Sequence, residues 1–442
     1  MNDFGFGFDP YNPDQNSFGN DVNTDSSNGT YIPDVSDCRS CGVCVNTCPT
    51  YRATSKEAYS PRGRVRLIDR LINDGEPLSE DELKALQACT LCRTCEQVCP
   101  SKMAYGELFN QAHEKLSEQT DNKPSWIVQM LLHHFSTRRW LQNLTGTLIQ
   151  SYQQCGLQWL IHKLPFRLLQ GDLKQLDALL PPNHSSEKIP YYSRALTPAR
   201  YGKVALFSGC LSNTFDTQTH NDTIKLLTRL GYEVYVPKTQ TCCGAMHAHN
   251  GDIEIAKQLA RKNIDAFSES RVTAVVFNSS GCGAFLGEYQ TLLNLDNQTA
   301  QPKLLRAVTD VLGFLQKINW PDSPTFRASR IKVAVHEPCS QRNQLLNQSS
   351  VYELLNKIPA IEVAPLEGNN LCCGAGGTRM ITHPELANPI RDEKVKALIE
   401  SGAEILVSSN MACAMHLAAG VREAGKEIEV IHPVQLLARQ LI

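Results

Sequence analysis

The chain has 442 residues, with 43 Lys and Arg against 45 Asp and Glu and a net charge of −2 when histidine is neutral. That length allows two or three domains, and the balanced charge lacks the basic excess that a nucleic-acid partner requires. The unusual part of the composition is its 17 cysteines, which imply disulfides in a secreted chain and metal or redox chemistry in a reducing compartment.

Residues 1–33 are rich in Asn, Asp, Gly, Ser and Pro, with Phe4, Phe6, Phe8 and Phe18 scattered among them. Such a segment is too polar to build a core and is expected to be a disordered tail, inert or a docking motif. The first 37 residues contain seven Asp and neither Lys nor Arg, so the basic start of a signal peptide is missing and a cytoplasmic location is expected. No apolar run approaches the roughly 20 residues of a membrane-spanning helix. Any contact with the inner membrane is therefore expected to be peripheral or through a partner.

Residues 34–118 carry a doubled pattern. CRSCGVCVNTCP places Cys38, Cys41, Cys44 and Cys48, and CTLCRTCEQVCP places Cys89, Cys92, Cys95 and Cys99. Each copy reads C-x2-C-x2-C-x3-C-P, the ligand run of a two-cluster ferredoxin, in which the fourth cysteine of one run serves the other cluster. The expected ligand sets of two [4Fe-4S] clusters are thus Cys38, Cys41, Cys44 and Cys99 for one, and Cys48, Cys89, Cys92 and Cys95 for the other. A disulfide framework or paired zinc sites are the plainer alternatives, but zinc normally draws two ligand pairs from separate segments. Between the runs, Val65, Leu67, Ile68 and Leu71 within PRGRVRLIDRL suit a helix, which predicts a helical module rather than a β-rich one.

Residues 119–200 form a connector and linker. Leu141, Leu144 and Leu148 recur at helical spacing with Trp140 and Trp159 nearby, which predicts amphipathic helices. Beside Arg138, Arg139, Lys163 and Arg167 they suit a membrane surface, but packing against the rest of the protein or a partner is the plainer reading. Pro181, Pro182, Pro190 and Pro198 mark a linker. Cys155 stands alone and reads as a small buried hydrophobe.

Residues 201–325 and 326–442 repeat one another. KVALFSGC matches KVAVHEPC, CCGA occurs twice, and NSSGC matches SNMAC, with offsets of 129, 130, 130 and 131 residues between equivalent cysteines. Regular offsets over separate anchors mean two structural copies. Within each copy, strands alternate with helices, which implies parallel α/β layers with the cysteines at strand ends, where such folds place their crevices. The fold class expected for the whole chain is α+β multidomain: an α-helical two-cluster ferredoxin domain followed by two repeated α/β cysteine-rich domains.

The repeats bring together Cys210, Cys242, Cys243 and Cys282 in the first and Cys339, Cys372, Cys373 and Cys413 in the second. Adjacent cysteines seldom bond to each other because the ring is strained, so a recurring Cys-Cys-Gly beside two further cysteines argues for soft metal ligation and further iron-sulfur clusters. Thiol packing and redox thiol chemistry are the alternatives. Gly244 and Gly374 are expected to let the backbone turn closely around a cluster. His336 and His416 stand three residues from Cys339 and Cys413; each suits a hydrogen bond to a thiolate or a proton relay, with a structural role the plainer reading. Gly374, Gly376 and Gly377 lack the continuation of a phosphate-binding loop, and GCGAFLG misses the dinucleotide spacing. An electron carrier with no hydride site needs a partner.

These motifs are similar to one known family. Both CxxCxxCxxxCP runs, PRGR at Pro61 to Arg64, both CCG motifs, SGCGAF at Ser280 to Phe285 and THPELA at Thr382 to Ala387 resemble the iron-sulfur subunit of glycolate oxidase, or glycolate dehydrogenase, over about Asp37 to Leu437. More distantly they are similar to the C subunit of anaerobic glycerol-3-phosphate dehydrogenase, lactate-utilisation proteins and the cysteine-rich subunit of heterodisulfide reductase. The resemblance implies a complex in which FAD-bearing 2-hydroxyacid dehydrogenase subunits oxidise substrate and this chain passes electrons toward quinone. Iron-sulfur subunits of lactate or glycerol-3-phosphate dehydrogenases, or a heterodisulfide-reductase-like catalyst, are the alternatives it leaves. The heterodisulfide reductase pattern has a further cysteine three residues before the last of each repeat. Here those positions are Ser279 and Asn410, which argues against its five-thiolate cluster and against disulfide reduction.

Overall fold

The structure, a computed structural model, describes residues 34–119, 126–163, 171–181, 187–197, 201–268, 271–295, 302–318, 320 and 325–442. The expected tail with its phenylalanines, Arg167, Pro182 and Pro198 lie outside the described residues, as does the side chain of Lys163.

The described part of the first module is helical. Ser60 accepts a hydrogen bond from Gly63 N at 2.9 Å, and Pro61 occupies the first position of the helix Pro61–Asp69. Proline is tolerated there because its missing N–H would be unpaired anyway. The helix continues as a wider turn over Arg70–Asp74 and stops at Gly75, whose left-handed backbone ends it. A reciprocal cap between Ser79 and Glu82 starts the helix Glu80–Gln87. Val65, Ile68, Leu71, Leu83, Leu86, Leu108 and Phe109 form a core that also reaches Cys89, which places the second cysteine run against the helices.

The connector follows the helical expectation, and its helix Arg139–Gln154 packs on the rest of the protein through polar rather than apolar side chains. In this helix the buried residues are Gln142 and Gly146, while Trp140 and Leu148 are 61% and 60% exposed. Gln142 turns inward because Asn213 donates to its Oε1 at 3.2 Å, and its own amide reaches the carbonyls of Phe135 and Ser136. Cys155 is exposed at the end of this helix rather than buried.

The repeats form two sheets of the same design. The first contains β1 (Tyr192–Ser193), β2 (Gly202–Phe207), β3 (Tyr232–Tyr235), β4 (Ala274–Phe277) and β5 (Val308–Asp310), in the order β1-β3-β2-β4-β5. The second contains β6 (Lys332–His336), β7 (Glu362–Pro365), β8 (Ile405–Ser408) and β9 (Glu429–Ile431), in the order β7-β6-β8-β9. All pairings are parallel except that of β1 with β3. The apolar strands Ala274–Phe277 and Ile405–Ser408 are almost wholly buried, as parallel strands covered by helices on both faces must be.

The repeats also exchange their last helices. Val311–Lys317, which ends the first repeat, packs on Ser349–Leu355 of the second; Pro433–Gln440, which ends the second, packs on Thr217–Arg229 of the first. Asn347 donates to Asp310 at 2.9 Å on one side, and His432 meets the Asn278 carbonyl at 2.9 Å on the other. One apolar core, including Val204, Leu227, Val333, Leu354 and Leu437, therefore runs through both repeats. This exchange turns the carboxyl ends of the two sheets toward each other.

Candidate iron-sulfur sites

Cys38 follows a single capped turn over Val35–Asp37, and Gly42, at φ +80°, bends the loop between Cys41 and Cys44. Cys48 is buried at the N-cap of the helix Pro49–Thr54. In the second run Leu91 and Arg93 adopt left-handed backbone, a conformation that costs roughly 1–2 kcal/mol for non-glycine residues and persists where surroundings fix it. One cavity is lined by Cys38, Cys41, Cys44, Cys95 and Cys99, and another by Cys48, Cys89, Cys92 and Cys95. The fourth cysteine of each run thus sits beside the first three of the other, with Cys95 on the wall of both cavities.

These thiols suit a cationic inorganic core. Burial, with the nearby thiols of Cys38, Cys99 and Cys41 adding to it, pushes Cys44 up to about 11. Burial likewise raises Cys89, against the pull of the Arg64 guanidinium. Grouped buried thiols cannot all ionise unless metal supplies the opposite charge. Arg64 is buried yet no carboxylate accepts from it among the described residues; it donates to Ala85 O at 2.8 Å, Thr50 Oγ1 at 2.9 Å and Cys48 Sγ at 3.7 Å. Burial opposes its charge, but Cys89, Tyr105 and Cys48 outweigh that and hold it protonated. A buried cation requires a counter-charge, which the neighbouring cysteines would supply as thiolates once they hold metal.

In each repeat the four cysteines form a chain at the carboxyl ends of the strands. In the first, Cys210 Sγ lies 3.4 Å from Cys242 Sγ, Cys242 contacts Cys243, and Cys243 contacts Cys282. In the second, Cys339 contacts Cys372, Cys372 contacts Cys373, and Cys373 Sγ lies 2.9 Å from Cys413 Sγ. Hydrogen bonds from Cys210 and Cys243 hold the Cys242 thiol well below its ordinary value, against the opposing effect of burial. Both chains line one cleft between the repeats, together with Thr90, Leu91 and Arg93 of the ferredoxin segment. Ser280 Oγ meets Ser340 Oγ at 2.8 Å across the cleft, and Ser280 N donates to Ser409 O at 2.9 Å.

The ferredoxin segment docks directly on this cleft. Cys92 and Cys372 are in side-chain contact. Asn343 donates to Cys92 O at 2.8 Å, and the buried Arg379 donates to Cys89 O at 3.3 Å and His249 O at 3.1 Å. Arg379 thereby ties the second cysteine run to both repeats. Sequence spacing held no sign of this junction, because its partners are some 250 to 290 residues apart.

Several expectations change at this scale. Gly244 and Gly374 do have left-handed backbone, at φ +97° and +87°, but a Cβ at Gly374 would come within 2.5 Å of Ala387 O. The close turn thus fits the helix behind as well as the cysteine site, where the glycine N–H groups donate to Cys242 and Cys372 at 3.4 and 3.3 Å. Gly376 permits approach of another segment, since a Cβ there would lie 3.1 Å from Thr90 Cα. Ser279 and Asn410 are helix N-caps, and Asn410 reaches Ser280 and Ser340 across the cleft. The two histidines separate: His416 meets Ala387 O at 3.2 Å, a structural contact, whereas His336 lies beside Cys373 and Cys413.

Residues 34–103 match the family model of the 4Fe-4S dicluster domain, and residues 204–287 and 333–418 match that of the cysteine-rich domain CCG. A probable glycolate oxidase iron-sulfur subunit of Bacillus subtilis (strain 168) is 32% identical over 90% of this chain and 92% of its own length. The chain belongs to the family of glycolate oxidase iron-sulfur subunits. The glycolate oxidase iron-sulfur subunit of Escherichia coli (strain K12) is 30% identical over 89% of this chain and 92% of its own. Lactate utilization protein A of Macrococcus caseolyticus is 30% identical over 54% of this chain and 97% of its own length. Family membership agrees with the resemblance carried by the motifs, and the expected fold class stands.

Proposed function

We propose that this chain is the electron-transfer subunit of an FAD-linked 2-hydroxyacid dehydrogenase complex, with glycolate as substrate, and that it carries electrons from a partner's flavin toward quinone. The observation that carries this reading is the continuity of the cysteine sites: Cys92 touches Cys372, so the ferredoxin segment and the cleft between the repeats are contiguous. In this reading residues 34–118 are the dicluster domain, 119–200 the connector, and 201–325 and 326–442 the two cysteine-rich domains. Cys38, Cys41, Cys44 and Cys99 hold one [4Fe-4S] cluster, and Cys48, Cys89, Cys92 and Cys95 the other. Further clusters belong to Cys210, Cys242, Cys243 and Cys282, and to Cys339, Cys372, Cys373 and Cys413. Such clusters exchange single electrons with little rearrangement, which suits a two-electron flavin feeding a one-electron path.

The protein's own part is to exclude water and fix charge. Arg64 and Arg379 place buried positive charge beside Cys89, while Asn343 and Gly374 N–H fix the backbone and sulfur at the junction. Substrate oxidation belongs to the flavin-bearing partner. The working location is cytoplasmic, with any membrane contact peripheral; among the described residues no helix is long and apolar enough to cross a membrane.

The test is reconstitution. The anaerobic chain alone should bind neither FAD nor glycolate, and adding the flavoprotein should give glycolate-dependent reduction of quinone or dye. Cys92→Ala should slow electron output more than flavin reduction in stopped-flow traces. Glycolate turnover by the single chain, or full quinone reduction by the Cys92→Ala complex, would overturn the reading.

A further inference from the structure

The two repeats share a backbone design but differ at one pair of positions beneath the cysteines. His336 ends β6 and pairs in register with Ser408 at the end of β8. In the first repeat Phe207 ends β2 and pairs with Phe277 at the end of β4. The first repeat thus shows that an apolar pair satisfies this fold. The second instead buries an imidazole and a hydroxyl, which costs free energy unless both are used.

Geometry supplies the use. A ring nitrogen of His336 and the sulfurs of Cys373 and Cys413 all lie within 4.8 Å of one another, and all three residues are buried. Ser408 Oγ engages His336 Nδ1 at 3.0 Å, so Nε2 is the nitrogen left for a metal. A histidine oriented through its other nitrogen is the usual arrangement for ligation. Thiolate and imidazole together suit iron or zinc.

We infer that the second cysteine-rich site is a mixed thiolate–imidazole metal centre in which His336 is a ligand, while the first is served by thiolates alone. This rests on the reading that the repeats hold metal clusters. Imidazole in place of a thiolate raises the potential of an iron-sulfur centre, so with His336 in place of one of the four thiolates the second repeat has the higher potential, and it adjoins Cys92 through Cys372.

The test uses the intact chain, purified without oxygen, unlabelled and labelled with [15N]histidine. Metal and sulfide analysis comes first, then pulsed EPR of the reduced protein. The expected result is a nitrogen coupling that changes on labelling and is lost in His336→Phe, the variant that copies the first repeat. His336→Cys, which puts a thiolate in the imidazole's place should the Phe variant fold poorly, should keep the metal, abolish the coupling and lower the midpoint potential of one centre. Metal confined to the roughly eight irons of two cubanes would overturn both the cluster reading of the repeats and this inference. Metal-loaded repeats with no histidine coupling, or with spectra and potentials unchanged in both variants, would overturn this inference alone.

Discussion

Arg64 is 1% exposed and its guanidinium reaches a thiol rather than a carboxylate. Removing a cation beside a centre that gains an electron makes reduction harder, so Arg64→Met should lower the midpoint potential of the centre assigned to Cys48, Cys89, Cys92 and Cys95. Loss of its bonds to Ala85 and Thr50 should also cost about 3 kcal/mol of stability. An EPR-monitored redox titration with unchanged potentials would contradict the first effect. His432 gives a pH-dependent prediction of known sign. Its Nδ1 accepts from Val434 N at 3.1 Å, so Nε2–H donates to Asn278 O, and burial pushes this imidazole down to about 3. As pH falls, the unfolded chain takes up a proton near 6.5 while the folded chain does not. Stability present above pH 6.5 is therefore lost toward pH 3, by about 1 kcal/mol between pH 7 and 5.5. Asp310, which burial pushes up to about 6, acts in the opposite sense: its contribution is present below about 3.8 and lost as pH rises through 6. The difference in denaturant midpoint between wild type and His432→Asn at the two pH values isolates the histidine.

Single elements link distant ligands. Because Cys99 shares a cavity wall with Cys38, Cys41 and Cys44, Cys99→Ala should disturb the cluster assigned to the first run. Cluster-resolved spectra showing damage only at the centre of Cys89 and Cys92 would refute the crossed sets. The turn after Cys373 makes a second case. Gly374→Ala requires a side chain at φ +87° with its Cβ 2.5 Å from Ala387 O, so the turn or the helix Pro384–Ser401 must move. A loss of well over 1 kcal/mol is expected, with altered metal content at the second repeat because Gly374 N–H also donates to Cys372. An unchanged melting temperature and metal load would show that the turn adapts freely.

At the scale of the molecule, the exchanged helices make the two repeats one folding unit. Lys225 donates to Ala438 O at 3.1 Å and Gln435 to Asp216 at 3.1 Å, both between repeats. Deleting residues 433–442 should therefore lower hydrogen-exchange protection in Thr217–Arg229, more than 200 residues away in sequence, as well as in the second repeat. Protection lost only in the second repeat would mean that the two fold independently. The same exchange keeps the cysteine chains face to face, so its loss should also weaken metal retention at both sites.

The local order of residues was enough to read the cysteine runs, the doubled α/β architecture, the helix from Pro61 and the placing of cysteines at strand ends, because each depends on spacing within one element or on a fixed offset between copies. The family resemblance was legible for the same reason. What spacing cannot carry is which surfaces meet. The exchange of terminal helices, the contact between Cys92 and Cys372, and the docking of Arg379 on Cys89 join segments far apart in sequence. The outward face of the Arg139–Gln154 helix and the exposure of Cys155 were also decided by packing, since Asn213 and the Phe135 and Ser136 carbonyls claim Gln142 for the inside. His336 and His416 look alike as histidines three residues from a cysteine. Only the pairing of β6 with β8, which sets one ring against Ser408 and two thiols and leaves the other against a helix carbonyl, tells them apart.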